Sequence, residues 1–394
     1  MTAAKPRVQN VIQRHGRRGP QYDARETPET RPHDGACTLV PGRARIRNVD
    51  LTSAQAQFEP EPGWLNTASY GLPPTSAWTE LQTALGTWRR GVLPWEMTGD
   101  STARARSAFA RIVGVPEHDV TIGAQVSQLL GPMAAALPEG STVLVPQEEF
   151  TSMLFPWLAQ SMRQVDVRTV PAAELAKHIT DDVDMVAFSL VQSASGEVAD
   201  ADAIVAAAAE TGAMTVVDLT QAAGWLPLDA SRFDATVTGA YKWLLSPRGS
   251  AFMTTTPGLR DRLTPNQAGW FAGEDVHSSY YGPPLRLARD ARRLDISPAW
   301  FSWVGTAPAL ELIEQVGVET IYQHDLALAN RFRGALGHET GDSAIVSIDV
   351  APDAAERLDT AGVRTAVRDG RVRASFHLYT TDDDVDLALE VLTR

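Results

Sequence analysis

Only three lysines occur in 394 residues, Lys5, Lys177 and Lys242, while arginine supplies the other cations. Lys5 lies in a polar stretch and Lys177 in an alanine-rich run beside Glu174 and His178. Lys242 instead sits among Gly239, Ala240, Tyr241, Trp243 and Leu244, an apolar segment that runs into a Ser-Pro-Arg-Gly turn. Burying an amine is costly. Arginine keeps its charge when desolvated, whereas lysine can shed its proton and become a nucleophile. Residue type and setting therefore point to Schiff-base chemistry. The alternative is a snorkelling lysine whose stem covers apolar surface and whose head stays in water.

Four further features belong beside Lys242. Asp218 ends the apolar run Met214-Thr215-Val216-Val217, where a carboxylate needs a partner, such as a protonated ring nitrogen or a helix N-terminus. Gly123-Ala124-Gln125 joins a strand-like Val120-Thr121-Ile122 to a helical stretch, and small residues there let backbone N–H groups close on an anion. Any strand-to-helix turn can look similar. Phe150 follows another strand and has the shape to stack on a flat ligand or simply to fill core. Arg373 lies in an alternating stretch near the C-terminus, suited either to a bidentate carboxylate clamp or to solvent.

The elements that must position these residues read as alternating strands and helices. Strand-like runs span residues 142–146, 165–170, 185–191, 214–219, 235–239 and 250–255, with helical patterns at 103–113, 126–137 and 201–211. Continuous apolar strands separated by helices imply a mostly parallel α/β sheet covered on both faces. Ligands bind beyond the carboxyl ends of such strands. A helical run over 307–315, followed by shorter elements, suggests a smaller α+β C-terminal domain. The expected division is a basic tail at 1–50 without ordered structure, a large domain at 51–303 and a small one at 304–394.

Composition bounds the function class. An apolar share of 44% and a charged share of 21% are those of a globular protein. The net charge of −13 is uneven: residues 1–50 hold ten Lys/Arg against five Asp/Glu, leaving −18 for the rest. An acidic body argues against nucleic acid as a partner. No apolar run is long enough to span a membrane, and no apolar signal core opens the chain, so a cytoplasmic location is expected. Cys37 is the single cysteine, and histidine spacing suggests no metal site.

In order along the chain, these motifs resemble the class V aminotransferases, pyridoxal-phosphate enzymes of fold type I. The likeness runs from Leu65-Asn66-Thr67-Ala68-Ser69-Tyr70-Gly71 through Gly123-Ala124-Gln125, the segment from Glu149 to Trp157, Asp218…Gln221…Gly224 and Lys242…Arg248-Gly249 to Arg373-Ala374-Ser375…Tyr379. It implies that Lys242 carries pyridoxal 5'-phosphate, with Asp218 at the ring nitrogen, Gln221 at the phenolic oxygen and Phe150 on the ring face. Ala124, Gln125 and Tyr241 would complete the cofactor site, and Trp270 would reach a neighbouring subunit's phosphate in a homodimer. Arg373 and Asn66 would bind a small amino-acid substrate. Tyr241, Phe150 and Gly269-Trp270-Phe271 are similar to the kynureninase branch, and Lys242-Trp243-Leu244 to the isopenicillin N epimerase-like group. Transamination is the expected reaction, with lyase, kynureninase-like hydrolase and epimerase chemistry, or a non-catalytic cofactor-binding relative, as alternatives. Family desulfurases carry a cysteine upstream of the position of Arg373. With Cys37 alone, cysteine-dependent desulfuration is expected to be excluded.

Overall fold

The structure, a computed structural model, describes residues 48–393. Nearly all of the basic segment expected at 1–50, through residue 47, lies outside the described residues. The chain runs through α1 (Leu51–Gln55), α2 (Thr75–Arg89), α3 (Trp95–Ile112), β1 (Val120–Gly123), α4 (Val126–Ala136), β2 (Thr142–Pro146) and α5 (Thr151–Leu158). It continues with β3 (Asp166–Val170), β4 (Met185–Ser189), α6 (Ala201–Thr211), β5 (Met214–Asp218), β6 (Ala235–Gly239), β7 (Ala251–Thr255) and α7 (Pro257–Arg260). After a segment of short turns come α8 (Trp300–Val316), α9 (Val318–Ala335), β8 (Ile345–Ile348), α10 (Ala354–Thr360), β9 (Ala366–Arg368), β10 (Arg371–Ser375) and α11 (Asp382–Leu392).

β1 to β7 form one seven-stranded sheet in the order β1-β7-β6-β5-β4-β2-β3. All pairs are parallel except those of β7, which runs against both β1 and β6. A parallel return needs a long crossover, usually helical. The stretch between β6 and β7 carries no helix, so β7 comes back antiparallel. The strands alternate cleanly between two cores. Ile122, Leu144, Val186, Phe188, Val217 and Phe252 face a core that takes in Phe109 of α3, Ile204 of α6 and Leu310 of α8. Val143, Val145, Ala187, Val216 and Val237 face the other, against Leu129 and Met133 of α4 and Trp157 of α5. Period-two alternation into two apolar layers is why these strands read as unbroken hydrophobic runs.

Local signals end the elements where expected. Asp200 accepts from Ala203 N at 3.0 Å to cap α6, and Gly212 closes that helix with φ +77°. Two helices extend further N-terminally than their apolar periodicity suggests: α3 begins at residue 95, just after Pro94, and α8 at residue 300 with the aromatic turn Trp300-Phe301-Ser302-Trp303. α8 runs unbroken through residue 303 and packs on α2 and α3. The last elements build a three-stranded antiparallel sheet, β8-β10-β9, around a third core containing Leu65, Phe332, Val372 and Phe376. No helix among the described residues is long and apolar enough to cross a membrane.

Candidate active site

The parallel register brings the carboxyl ends of β1, β2, β4, β5 and β6 to one edge, and there the chain opens a cavity. Ala124, Gln125, Phe150, Asp218, Gln221, Tyr241 and Lys242 all line it. Lys242 lies three residues past the end of β6 and is 6% exposed. Its Nζ lies 5.6 Å from the centre of the Phe150 ring and 5.7 Å from that of Tyr241. Burial pushes the amine down to about 8, Asp218 pulls it back up, and Arg373, Arg368 and Arg248 reinforce the fall.

Backbone clamps fix the lysine segment from both sides. Gly71 N donates to Tyr241 O at 2.9 Å, and a Cβ on Gly71 would lie 2.1 Å from the Lys242 carbonyl oxygen. Gly224, at φ +108°, would put a Cβ 2.5 Å from the Trp243 carbonyl oxygen. Only glycine permits either approach. His377 Nε2 completes the clamp 3.0 Å from that same oxygen, while Nδ1 meets Asp325 Oδ2 at 2.9 Å. Both residues are fully buried. Burial lowers the imidazole to about 3 and raises the Asp325 carboxyl well above its ordinary value. A carbonyl oxygen can only accept, so Nε2 carries a proton and donates it to Trp243 O.

Asp218 is buried at the end of β5 and takes a hydrogen bond from Thr220 N at 2.8 Å. Burial raises its carboxyl, and the nearby Lys242 amine lowers it in turn. Gln221 is held at both ends: Nε2 donates to Ala68 O and Ser193 Oγ, each at 3.0 Å, and Oε1 accepts from Trp243 Nε1 at 2.7 Å. Phe150 is half-exposed at the N-cap of α5, its N–H bonded to Glu149 Oε1 at 2.8 Å. Gly123 must be glycine, because a Cβ there would lie 2.5 Å from Gln128 Oε1 and 2.6 Å from Leu129.

Arg373 is 1% exposed and has no carboxylate within ion-pair distance among the described residues. It donates instead to Ser193 O, to Ser193 Oγ at 3.3 Å and to Ser69 Oγ at 2.9 Å, and its Nε has no partner among the described residues. Burial lowers the guanidinium to about 10. Asn66 does not touch Arg373. It acts one bond away, its Oδ1 accepting from Ser69 Oγ at 2.7 Å. Trp270 does not line the cavity, and its ring packs on Phe271 and Tyr280.

Motif reasoning left four participants without a role. Glu149 is buried and accepts from Ser189 N at 2.7 Å, Ser189 Oγ at 2.5 Å and Gln192 Nε2 at 3.3 Å. Burial raises its carboxyl. Ser193 touches both Gln221 and Arg373. Arg248 lines the cavity with its guanidinium 4.4 Å from the centre of the Tyr241 ring. Arg368 adds its positive field from the small sheet. For Glu149 the signal was present, an acid three residues past an apolar strand. The others depend on loops meeting in space.

The set fits pyridoxal 5'-phosphate: a desolvated amine for its aldehyde, a buried carboxylate for its ring nitrogen, an aromatic face, and a turn opened by Gly123 leading into an eleven-residue helix, α4.

Comparison with known proteins agrees. The family profile "Aminotransferase class-V" matches residues 96–353. The chain is 26% identical over 317 residues to an uncharacterized aminotransferase, YcbU, of Bacillus subtilis, covering 75% of this chain and 84% of that protein. It is 25% identical over 340 residues to a probable cysteine desulfurase of Methanothermobacter thermautotrophicus, covering 73% and 82%. Isopenicillin N epimerase and kynureninases are also among its relatives. In structure it resembles the cystine C-S lyase C-DES, solved with its product cysteine persulfide, with a TM-score of 0.75 and 21% identity over 84% of this chain and 97% of that one. It likewise resembles the cysteine desulfurase CsdA of Escherichia coli, with a TM-score of 0.75 and 19% identity over 88% and 98%.

These relatives correct one expectation. A single cysteine was expected to exclude desulfuration, yet desulfurases recur among the similar sequences and structures. The cysteine count bears only on a protein thiol as sulfur acceptor. In C-DES the persulfide is on the product, cysteine. The exclusion is withdrawn, and what remains is the broader assignment: this chain belongs to the class-V aminotransferase family of pyridoxal-phosphate enzymes.

Proposed function

We propose that the protein transfers the amino group of a small amino acid to an oxo acid, with Lys242 as the catalytic residue. One observation carries this reading: an amine brought down to about 8 lies within the field of a buried guanidinium that has no carboxylate partner among the described residues. A substrate α-carboxylate supplies that partner, displacing the bonds from Arg373 to Ser193 and Ser69, and Asn66 steadies Ser69 from behind. So anchored, the substrate presents its Cα–H to Lys242 Nζ, which removes the proton and later returns it elsewhere. Proton transfer by a positioned base contributes about 10²–10⁴-fold. Bound pyridoxal phosphate supplies the sink for the electron pair left at Cα. Asp218 would keep the ring nitrogen protonated, Gln221 would exchange its bond to Ser193 for one to the phenolic oxygen, Phe150 and Tyr241 flank the amine, and the turn at Ala124 and Gln125 would take the phosphate. Trp270 belongs to the same proposal as a contact for the partner copy in a homodimer.

A second reading is favoured by the desulfurase relatives. The same proton removal can be followed by loss of a β-sulfur substituent. Product analysis separates the two: holoprotein is incubated with a panel of amino acids and pyruvate or 2-oxoglutarate. A new amino acid from the oxo acid supports transamination; without added oxo acid, pyruvate and ammonia released with sulfide from cysteine, or with cysteine persulfide from cystine, support the lyase reading. Turnover should fall about 10²–10⁴-fold in Lys242→Ala together with loss of the visible band of the lysine-bound cofactor. Unchanged turnover in that variant would sink both readings.

A further inference from the structure

The small sheet carries a cation that the proposed amino-acid chemistry does not use. In the antiparallel pair β9–β10, Arg373 lies opposite Ala366 and Arg371 lies opposite Arg368. Side chains two residues apart share a face. Arg368 is therefore on the same face as Arg373, at the diagonal position, where Cβ atoms stand about 7–8 Å apart. The two other charged positions on this face differ in their partners. Arg371 is paired with Asp349 at 3.1 Å. Arg368 bonds only to the carbonyl of its neighbour Val367, at 2.7 Å, and has no acidic partner among the described residues. It is exposed, and its positive field is felt at both Lys242 and Arg373.

We propose that Arg368 is a specificity-determining residue: it takes a second, side-chain carboxylate of the substrate, so the protein prefers dicarboxylic over neutral amino acids. The inference rests on the proposed role of Arg373 as the α-carboxylate anchor. With one anchor buried and one exposed on the same face, a dicarboxylate bridges the two guanidinium groups, and a monocarboxylate engages Arg373 alone. An arginine suits this task because its planar fork takes a carboxylate bidentately. Arg248, stacked on Tyr241, is the competing candidate for the same anion.

The test uses unreactive acids, so that binding is read apart from turnover. Cofactor-loaded protein is titrated calorimetrically with glutarate and with butyrate, as wild type, Arg368→Gln and Arg248→Gln. The inference expects glutarate to bind at least about tenfold more tightly than butyrate, a difference of about 1.4 kcal/mol. Arg368→Gln should collapse that preference while leaving butyrate unchanged, and Arg248→Gln should keep it. Equal affinities in the wild type would overturn the inference while leaving the Arg373 anchor standing. A preference that survives Arg368→Gln but disappears in Arg248→Gln would move the subsite and overturn the assignment to Arg368. If neither acid binds, the Arg373 reading fails and this inference with it.

Discussion

Arg106 and Arg373 are both buried arginines, 5% and 1% exposed, and their surroundings could hardly differ more. Arg106 on α3 reaches Asp295 at 2.5 Å and also bonds Val120 O, while Asp295 Oδ1 takes the Ile122 N–H at 2.9 Å. Charge is matched by charge, and the trio ties α3 and the segment before α8 to β1, the strand that leads into Gly123. Among the described residues Arg373 faces only hydroxyl and carbonyl oxygens, with an unpartnered Nε. Burying a charge without a counter-charge costs free energy, and a fold keeps such a group when a ligand completes it. Burial alone therefore does not mark the site. The missing counter-charge does.

The contrast can be broken most forcefully at Arg106. Arg106→Met leaves Asp295 buried and unpaired, and should lower the unfolding free energy by about 3–5 kcal/mol, read from denaturant midpoints. Adding Asp295→Leu should restore most of it, since a buried pair often exchanges for apolar residues at little cost. If the single variant is as stable as the wild type, the matched-charge account of this trio is wrong.

Arg373→Gln should behave in the opposite sense. Losing a charge-assisted bidentate anchor of about 1.5–3 kcal/mol should cut kcat/KM for the amino-acid substrate about 10- to 150-fold. Stability should hold or rise, because an unmatched buried charge has gone. A stability loss like that of Arg106→Met would make Arg373 a structural arginine. The visible cofactor band should persist, which separates this variant from Lys242→Ala.

The smallest effect is a matter of pH. With its amine brought to about 8, Lys242 is about 10% neutral at pH 7, roughly 300 times the fraction of an ordinary lysine at 10.5. The neutral form attacks the cofactor aldehyde, and the amine loses its proton as pH rises through 8. Uptake of pyridoxal phosphate by cofactor-free protein should therefore quicken about tenfold per pH unit up to about 8 and then level off. A rate still climbing at pH 10 would mean that burial has not lowered the amine.

Much of this was legible before any coordinates. β2 and β6 fall at the residues their apolar runs mark, and α6 ends at Gly212, because strand runs, caps and left-handed glycines are local signals. Lys242, Asp218, Gln221, Phe150, Ala124, Gln125 and Tyr241 meet in one cavity because each follows the carboxyl end of a strand in one register. Trp270 is absent from that cavity, and Asn66 reaches Arg373 only through Ser69. The cysteine count misled, because it concerns one acceptor for sulfur and not the chemistry at Cα.

By itself, then, the sequence determined the layered fold, the buried lysine and the order of motifs around it, all of which depend on residue type and short-range periodicity. The tertiary structure alone decided which charges are matched. Whether Arg106 finds Asp295, whether Arg373 finds no carboxylate among the described residues, and whether Arg368 shares its face depend on positions far apart in the chain or on strand register. Electrostatic free energy is set by distance and burial, and neither is written in the order of residues.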